Sequence, residues 1–179
     1  VNSITLGRES ATLKCYPVHL LSVLPHYGSE QASCFDIHAC WSDGQSIKTY
    51  NGFSEDTKGK LVTATEHVTL RPHSRALIPT GLIFDIPDGH SIRIHPRSGM
   101  AIEEGLSLIN CTGIIDCDYV LECMIPVVNH SERDIIIKWN ERIAQGELLR
   151  DGPKVKFETI DQPPANKTDR NGGFGSTGV

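Results

Sequence analysis

Residues 91–95 read Ser91-Ile92-Arg93-Ile94-His95. Successive side chains of an extended chain point to opposite faces, so this alternation puts both isoleucines on one side and Arg93 and His95 on the other. One face belongs to a core and the other to solvent or a partner. The same texture continues in both directions: short apolar or alternating runs at 13–24, 33–40, 61–65, 67–71, 76–78, 82–86, 106–110, 119–129, 134–139, 142–149 and 155–160 are cut apart by Gly, Pro, Asp and Asn. No stretch sustains a 3.6-residue period, which predicts an all-β sandwich. One helical turn is expected over 100–104, stopped by Gly105. Ile135-Ile136-Ile137 lacks alternation and predicts a strand covered on both faces, either between sheets or at a subunit contact.

The chain has 179 residues, 39% of them hydrophobic and 22% charged. That suffices for one domain with a real core plus a tail and excludes wholesale disorder. The longest apolar stretch, near 123–128, is far short of the ~20 residues a spanning helix needs. With no signal pattern at its start, the chain is expected to be intracellular and cytoplasmic, without a membrane partner. Lys and Arg number 17 against 22 Asp and Glu, a net charge of -5, which argues against a nucleic-acid partner and requires any anion to be met by a local cluster. The six cysteines form no C-x-x-C pair, so they are expected to be reduced and mostly buried. The polar residues 42–60 read as a surface excursion inserted in a domain spanning 1–160 and open to an unknown protein partner. Residues 161–179 hold two prolines, four glycines and little that is apolar, and are expected to form a flexible arm.

Three motifs carry chemistry. Residues 95–101, HPRSGMA, follow a strand and precede the helical turn. Backbone N–H groups, the Arg97 fork and the Ser98 hydroxyl could converge there on an anion, or the segment is a Pro-bounded turn. In 113–119, GIIDCDY, two carboxylates lie two residues apart beside an aromatic ring; they form either an Asx-rich turn or a base able to deprotonate a water next to a polyphosphate. Residues 173–178, GFGSTG, satisfy G-x-G-x-x-G, but no helix follows to hold a pyrophosphate. The glycine N–H groups, the hydroxyls and Phe174 suit a phosphate and a base, and equally a plain linker. The eight histidines form no H-x-x-x-H or H-E-x-x-H pattern and read as surface or core residues.

In this order, the segments resemble the five motifs of the homotrimeric dUTPase family: ASCFDI at 32–37, HPRSGMA at 95–101, NCTGIIDCDY at 110–119, ERIAQ at 141–145 and GGFGSTG at 172–178. The resemblance implies a distorted jelly-roll β-sandwich, with at most one short helix, that assembles as a homotrimer with sites shared among subunits. It implies hydrolysis of dUTP to dUMP and pyrophosphate, with Mg2+ on the triphosphate, limiting uracil in DNA and supplying dUMP for dTMP synthesis. Asp116 matches the general base, Tyr119 the ring against deoxyribose, and Asn110 and Gly113 the hairpin that reads uracil. Arg97, Ser98, Gly99 and Gln145 match phosphate contacts, and Asp36 the carboxylate that reaches the metal through water. In the arm, Phe174 matches the base-stacking aromatic, with Gly175, Ser176, Thr177 and Arg170 toward the phosphates. Three departures stand out. Leu121 and Gly146 replace a usual glycine and a usual apolar residue, and Arg170 stands one residue closer to the glycine pair, with Lys167 nearby. Two rivals follow from the same residues: a dCTP deaminase or bifunctional deaminase of the same fold, and a dUTP-responsive regulatory protein.

Overall fold

The computed structural model describes residues 11–52 and 59–168. Two five-stranded antiparallel sheets make the body. One runs in the order β10 (Leu106–Leu108), β12 (Met124–Asn129), β7 (Arg75–Pro79), β4 (Ser46–Tyr50), β5 (Lys60–Thr63); the other runs β11 (Gly113–Asp116), β9 (His90–His95), β14 (Arg142–Arg150), β3 (Phe35–His38), β2 (His26–Tyr27). Two strand pairs, β1 (Lys14–Pro17) with β8 (Leu82–Asp85) and β13 (Ile135–Lys138) with β6 (His67–Leu70), complete the fold. This is the jelly-roll-like β-sandwich the sequence predicts, and the two sheets do not close into a barrel. Ile92 and Ile94 are buried while Arg93 and His95 are half-buried on the other face, as the alternation requires. With Ile37, Ile78, Phe84, Ile125 and Ile137 they fill one continuous core. The expected helical turn is a single π-helical turn, Met100–Glu104, ended by Gly105 in the left-handed region at φ 79°, where a glycine carries no Cβ penalty. No helix among the described residues is long and apolar enough to cross a membrane.

Several expectations are corrected. Residues 42–60 are not simply an excursion: β4 lies between β7 and β5 in a main sheet, and Ile47 sits in the core. Flanking glycines and outward polar side chains hide that strand in the sequence, and residues 53–58 lie outside the described ones. Ile136 is 52% exposed between buried Ile135 and Ile137, because a two-stranded sheet is covered on only one face within the chain; of the two alternatives, burial between sheets is overturned and the subunit contact is left. Residues 155–160 form no strand. From Asp151 to residue 168 the chain is irregular and exposed. The run 119–129 becomes a strand only at Met124. Of the six cysteines, all free, only Cys40 and Cys123 are buried, and Cys111 is exposed. Burial pushes the Cys123 thiol up to about 12, which leaves it inert.

Gly146 explains one departure from the family pattern. It is buried on β14 opposite Phe35, and a Cβ there would stand 2.6 Å from the Phe35 ring. The aromatic ring thus fills the space that an apolar side chain at 146 would take. Gly146→Val should destabilise the fold by about 1–3 kcal/mol, the usual range for overpacking, and adding Phe35→Leu should restore part of the loss. Urea unfolding of both single variants and the double checks this; strictly additive effects would show that the two residues do not share the space.

Candidate functional site

β14 is hydrogen-bonded to β3 on one edge and β9 on the other, and Gln145 stands opposite both Asp36 and His95. Three separated sequence motifs therefore meet at one end of the sheet. The Gln145 side-chain amide donates to the Pro96 carbonyl (2.9 Å), bracing the loop that carries Arg97. Arg97 Nε donates to Asp36 Oδ1 (3.2 Å), and its Nη1 donates to the Arg142 carbonyl (3.1 Å). Arg142 Nη1 donates to the second carboxylate oxygen, Asp36 Oδ2, at 3.1 Å. Ser98 and Gly99 follow on the exposed turn, and a Cβ at Gly99 would meet nothing within 4 Å, so the approach to this edge is open. Two larger hollows, of 700 and 550 Å³, contain none of these side chains.

The second group is a hairpin. Gly113 opposes Ile94 on β9, and a Cβ at 113 would lie 3.3 Å from both Asn110 Nδ2 and Ile94 Cβ. Glycine thus lets Asn110 fold close over the backbone. Asp116 stands opposite Ser91 and accepts the Tyr119 N–H at its carbonyl (3.1 Å), a tight turn that sets Tyr119 beside it. The Tyr119 hydroxyl donates to the Glu122 carbonyl (3.1 Å), and the Glu122 carboxylate accepts the Gly81 N–H (2.8 Å). The ring is therefore anchored at its far end. Its flank, with Asp116, Ile115 and Met124, lines a cavity of about 150 Å³. Leu121 lies exposed in the irregular link that follows.

Both groups hang on β9: the Gly113–Asn110 end of the hairpin lies at Ile94, beside the Arg97 loop, and the Asp116–Tyr119 end lies at the far end of the strand. Asp116 pairs with Ser91, whereas Gln145 pairs with His95, four residues further on, roughly 13 Å at a strand's rise. Asp36, Arg97 and Gln145 are brought together, as are Asn110 with Gly113 and Asp116 with Tyr119; the chain does not bring Asp116 to Arg97. Arg170, Phe174, Gly175, Ser176 and Thr177 lie outside the described residues. Arg142 was not singled out by the sequence reading, although it sits within the ERIAQ segment. Among the described residues, no group of three or more His, Cys, Asp and Glu is placed to hold a metal ion.

Behind Asp36, His38 is buried, stacks on His26 at 5.4 Å between ring centroids, and leaves Nδ1 without a hydrogen-bond partner among the described residues. Burial lowers its pKa most, followed by the neighbouring His26. Asp36 pulls the other way, and Arg142 and Arg97 add to the lowering.

Fold and side chains together define a β-sandwich with an arginine-bearing loop at one end of β9 and the Asp116–Tyr119 turn of a hairpin at the other. The dUTPase family model matches residues 59–178. The deoxyuridine 5'-triphosphate nucleotidohydrolase of Syntrophotalea carbinolica is 33% identical over 95% of this chain and 99% of its own length. That of Finegoldia magna is 46% identical over 62% of this chain and 76% of its own length. The chain belongs to the dUTPase family. Among solved structures, a mutant dUTPase of Staphylococcus bacteriophage 80alpha with dUpNHpp superposes with a TM-score of 0.68 at 19% identity, covering 95% of this chain and all of that one. A mutant dUTPase of S. aureus phage phi11, described with a structural Mg(II) ion, superposes at 0.65 and 16% identity over 87% of this chain and all of that one.

The lowered His38 pKa makes a pH prediction. The unfolded chain takes up this proton near pH ~6.5 while the folded chain resists it, so stability drops as pH falls from there toward the folded value, and the penalty is complete below it. Urea midpoints measured downward from about pH 7 should fall more steeply in the parent than in His38→Gln. Equal slopes would remove His38 from the acid sensitivity.

Proposed function

We propose that the chain hydrolyses dUTP to dUMP and pyrophosphate, as a homotrimer whose active sites are completed across subunits. The observation that carries the reading is the placement of the matched motifs: the phosphate-facing group and the hairpin are each assembled locally, yet β9 holds the Asp116–Tyr119 end of the hairpin away from Arg97 within one chain. A neighbouring copy would supply the missing half. Relatives named for dUTP hydrolysis over nearly their whole length support the substrate.

In this mechanism Arg97, the Ser98 hydroxyl and the Gly99 N–H receive the phosphates, and Gln145 holds their loop through Pro96. Tyr119 lies against the deoxyribose, where a 2'-hydroxyl would clash, and Asn110 with the backbone at Gly113 reads uracil. Asp116 takes the proton of the water that attacks the α-phosphorus, and the pyrophosphate leaves. Arg170, Phe174, Gly175, Ser176 and Thr177 are assigned to covering the base and phosphates on sequence alone, and the same holds for the division into a domain of 1–160 and an arm. Mg2+ when bound supplies charge neutralisation on the triphosphate. A protein without a dedicated metal cluster among its described residues suits a cation that keeps waters and substrate oxygens. Both Asp36 oxygens accept from guanidinium groups, which favours contact through water over direct ligation. Consumption of dUTP would limit uracil in DNA and supply dUMP for dTMP synthesis. Seating β4 in a main sheet buries Ile47, while most of the other described residues of 42–60 stay exposed.

Pyrophosphate release across dUTP, dCTP, dTTP and UTP tests the reading, with dUTP expected to be the preferred substrate and a chelator to abolish its turnover. Asp116→Asn should lower turnover by on the order of a hundredfold or more while leaving dUTP binding largely intact. Mixing inactive Asp116→Asn and Arg97→Ala subunits, unfolded and refolded together, should restore part of the activity, because some sites then draw both native residues from different chains. Mixtures as inactive as their components would sink the shared site. Tyr119→Ala should narrow the gap between dUTP and UTP; an unchanged ratio would remove the ring from sugar selection.

A further inference from the structure

The pairing of β14 with β3 is irregular at one point. Gln145 faces Asp36 and Ala144 faces Ile37, but the next paired residue is Arg142, opposite His38, so Ile143 is an extra residue on its strand. Without that bulge, Ile143 would occupy the face of Asp36 and Gln145, and Arg142 the opposite one. The bulge sends Ile143 into the core, where it is 2% exposed, and turns Arg142 onto the face of Asp36. Bulges beside active sites re-aim side chains in this way.

The result is a group of three charges: one carboxylate, 13% exposed at its side chain, gripped on separate oxygens by Arg97 and Arg142. A carboxylate withdrawn from water needs a partner. With Arg97 as its only partner, Asp36 would neutralise the guanidinium that the proposed function assigns to the phosphates. The second guanidinium leaves the trio with a net charge of +1 at that edge. Its carbonyl also accepts from Arg97 Nη1, so the same residue fixes the direction of the Arg97 fork.

We propose that Arg142 is a positioning residue for phosphate binding: through Asp36 it keeps Arg97 aimed and electrostatically available to the triphosphate. This rests on the dUTP-hydrolysing reading above. Substrate affinity, not the proton transfer at Asp116, is the quantity it controls.

The test is a double-mutant cycle on the full chain, with KM and kcat for dUTP and the melting temperature measured for each variant. Arg142→Ala should raise KM on the order of tenfold, the scale of one charge-assisted contact, with kcat within about twofold. A merely structural role would instead lower kcat through a smaller active fraction and leave KM alone. In the Asp36→Asn background, where no carboxylate neutralises Arg97, Arg142→Ala should change KM by less than about twofold, since coupled residues are not additive. Arg142→Lys, which keeps the charge, should recover most of the lost affinity even if Asp36→Asn fails to fold. An equal rise in KM in both backgrounds would show that Arg142 acts on substrate directly. An unchanged KM in Arg142→Ala, or a Lys variant as weak as the Ala one, would also overturn the proposal. A parent that turns over no dUTP would overturn the functional reading and this inference with it.

Discussion

Everything at the proposed phosphate-binding edge depends on one strand being paired on both sides. β14 is nine residues long and carries backbone hydrogen bonds to β9 and β3 at once. An interior strand cannot slip by one residue without turning every side chain to the wrong face. Its register therefore sets which residues of three distant segments become neighbours. Asp36, Gln145 and the loop after His95 are assembled by backbone pairing before any side chain contributes. The side-chain bonds from Arg97, Arg142 and Gln145 then lock an arrangement that the sheet has already imposed.

The same strand pairings that assemble each half keep the halves apart. β9 is paired on both edges, with β11 and β14, so Asp116 at one end and the Arg97 loop at the other are held apart by the register of the sheet. Under the proposed shared site, a second chain would present the Asp116 end of its own β9. Exposed apolar side chains on the single chain, among them Leu20, Ile136 and Phe157, are surface of the kind that association covers. The irregular run after Asp151 has the same character.

Local departures from the family pattern are absorbed by particular neighbours. Gly146 is matched by the Phe35 ring, so the core loses no volume there. Leu121 falls in an exposed link where a side chain meets no constraint. Cys117 and Cys111 lie close in sequence to Asp116 and Asn110, yet neither is paired, and the buried Cys123 is held as an uncharged thiol. His38 shows the converse, a titratable ring kept neutral by burial directly behind the charged trio.

The amino-acid sequence by itself determined the strand texture, the alternation at 91–95, the end of the helical turn at Gly105 and the family motifs, because each rests on side-chain type and short spacing. It hid β4, whose flanking glycines look like loop, and it overstated the strand at 155–160, where the apolar residues stand exposed in an irregular run. It left open whether the second face of 135–137 is covered within the chain or at a subunit contact, and the structure excludes only the first, since Ile136 is exposed on the single chain. Only the tertiary structure decided that Arg142 reaches Asp36. That contact depends on a single extra residue in one strand of a pair whose partner lies more than a hundred positions away, and no local pattern records a register shift between segments so distant. The separation of Asp116 from the Arg97 loop along β9 is likewise a matter of which strands lie side by side, which hydrogen bonding across the sheet determines and sequence order does not.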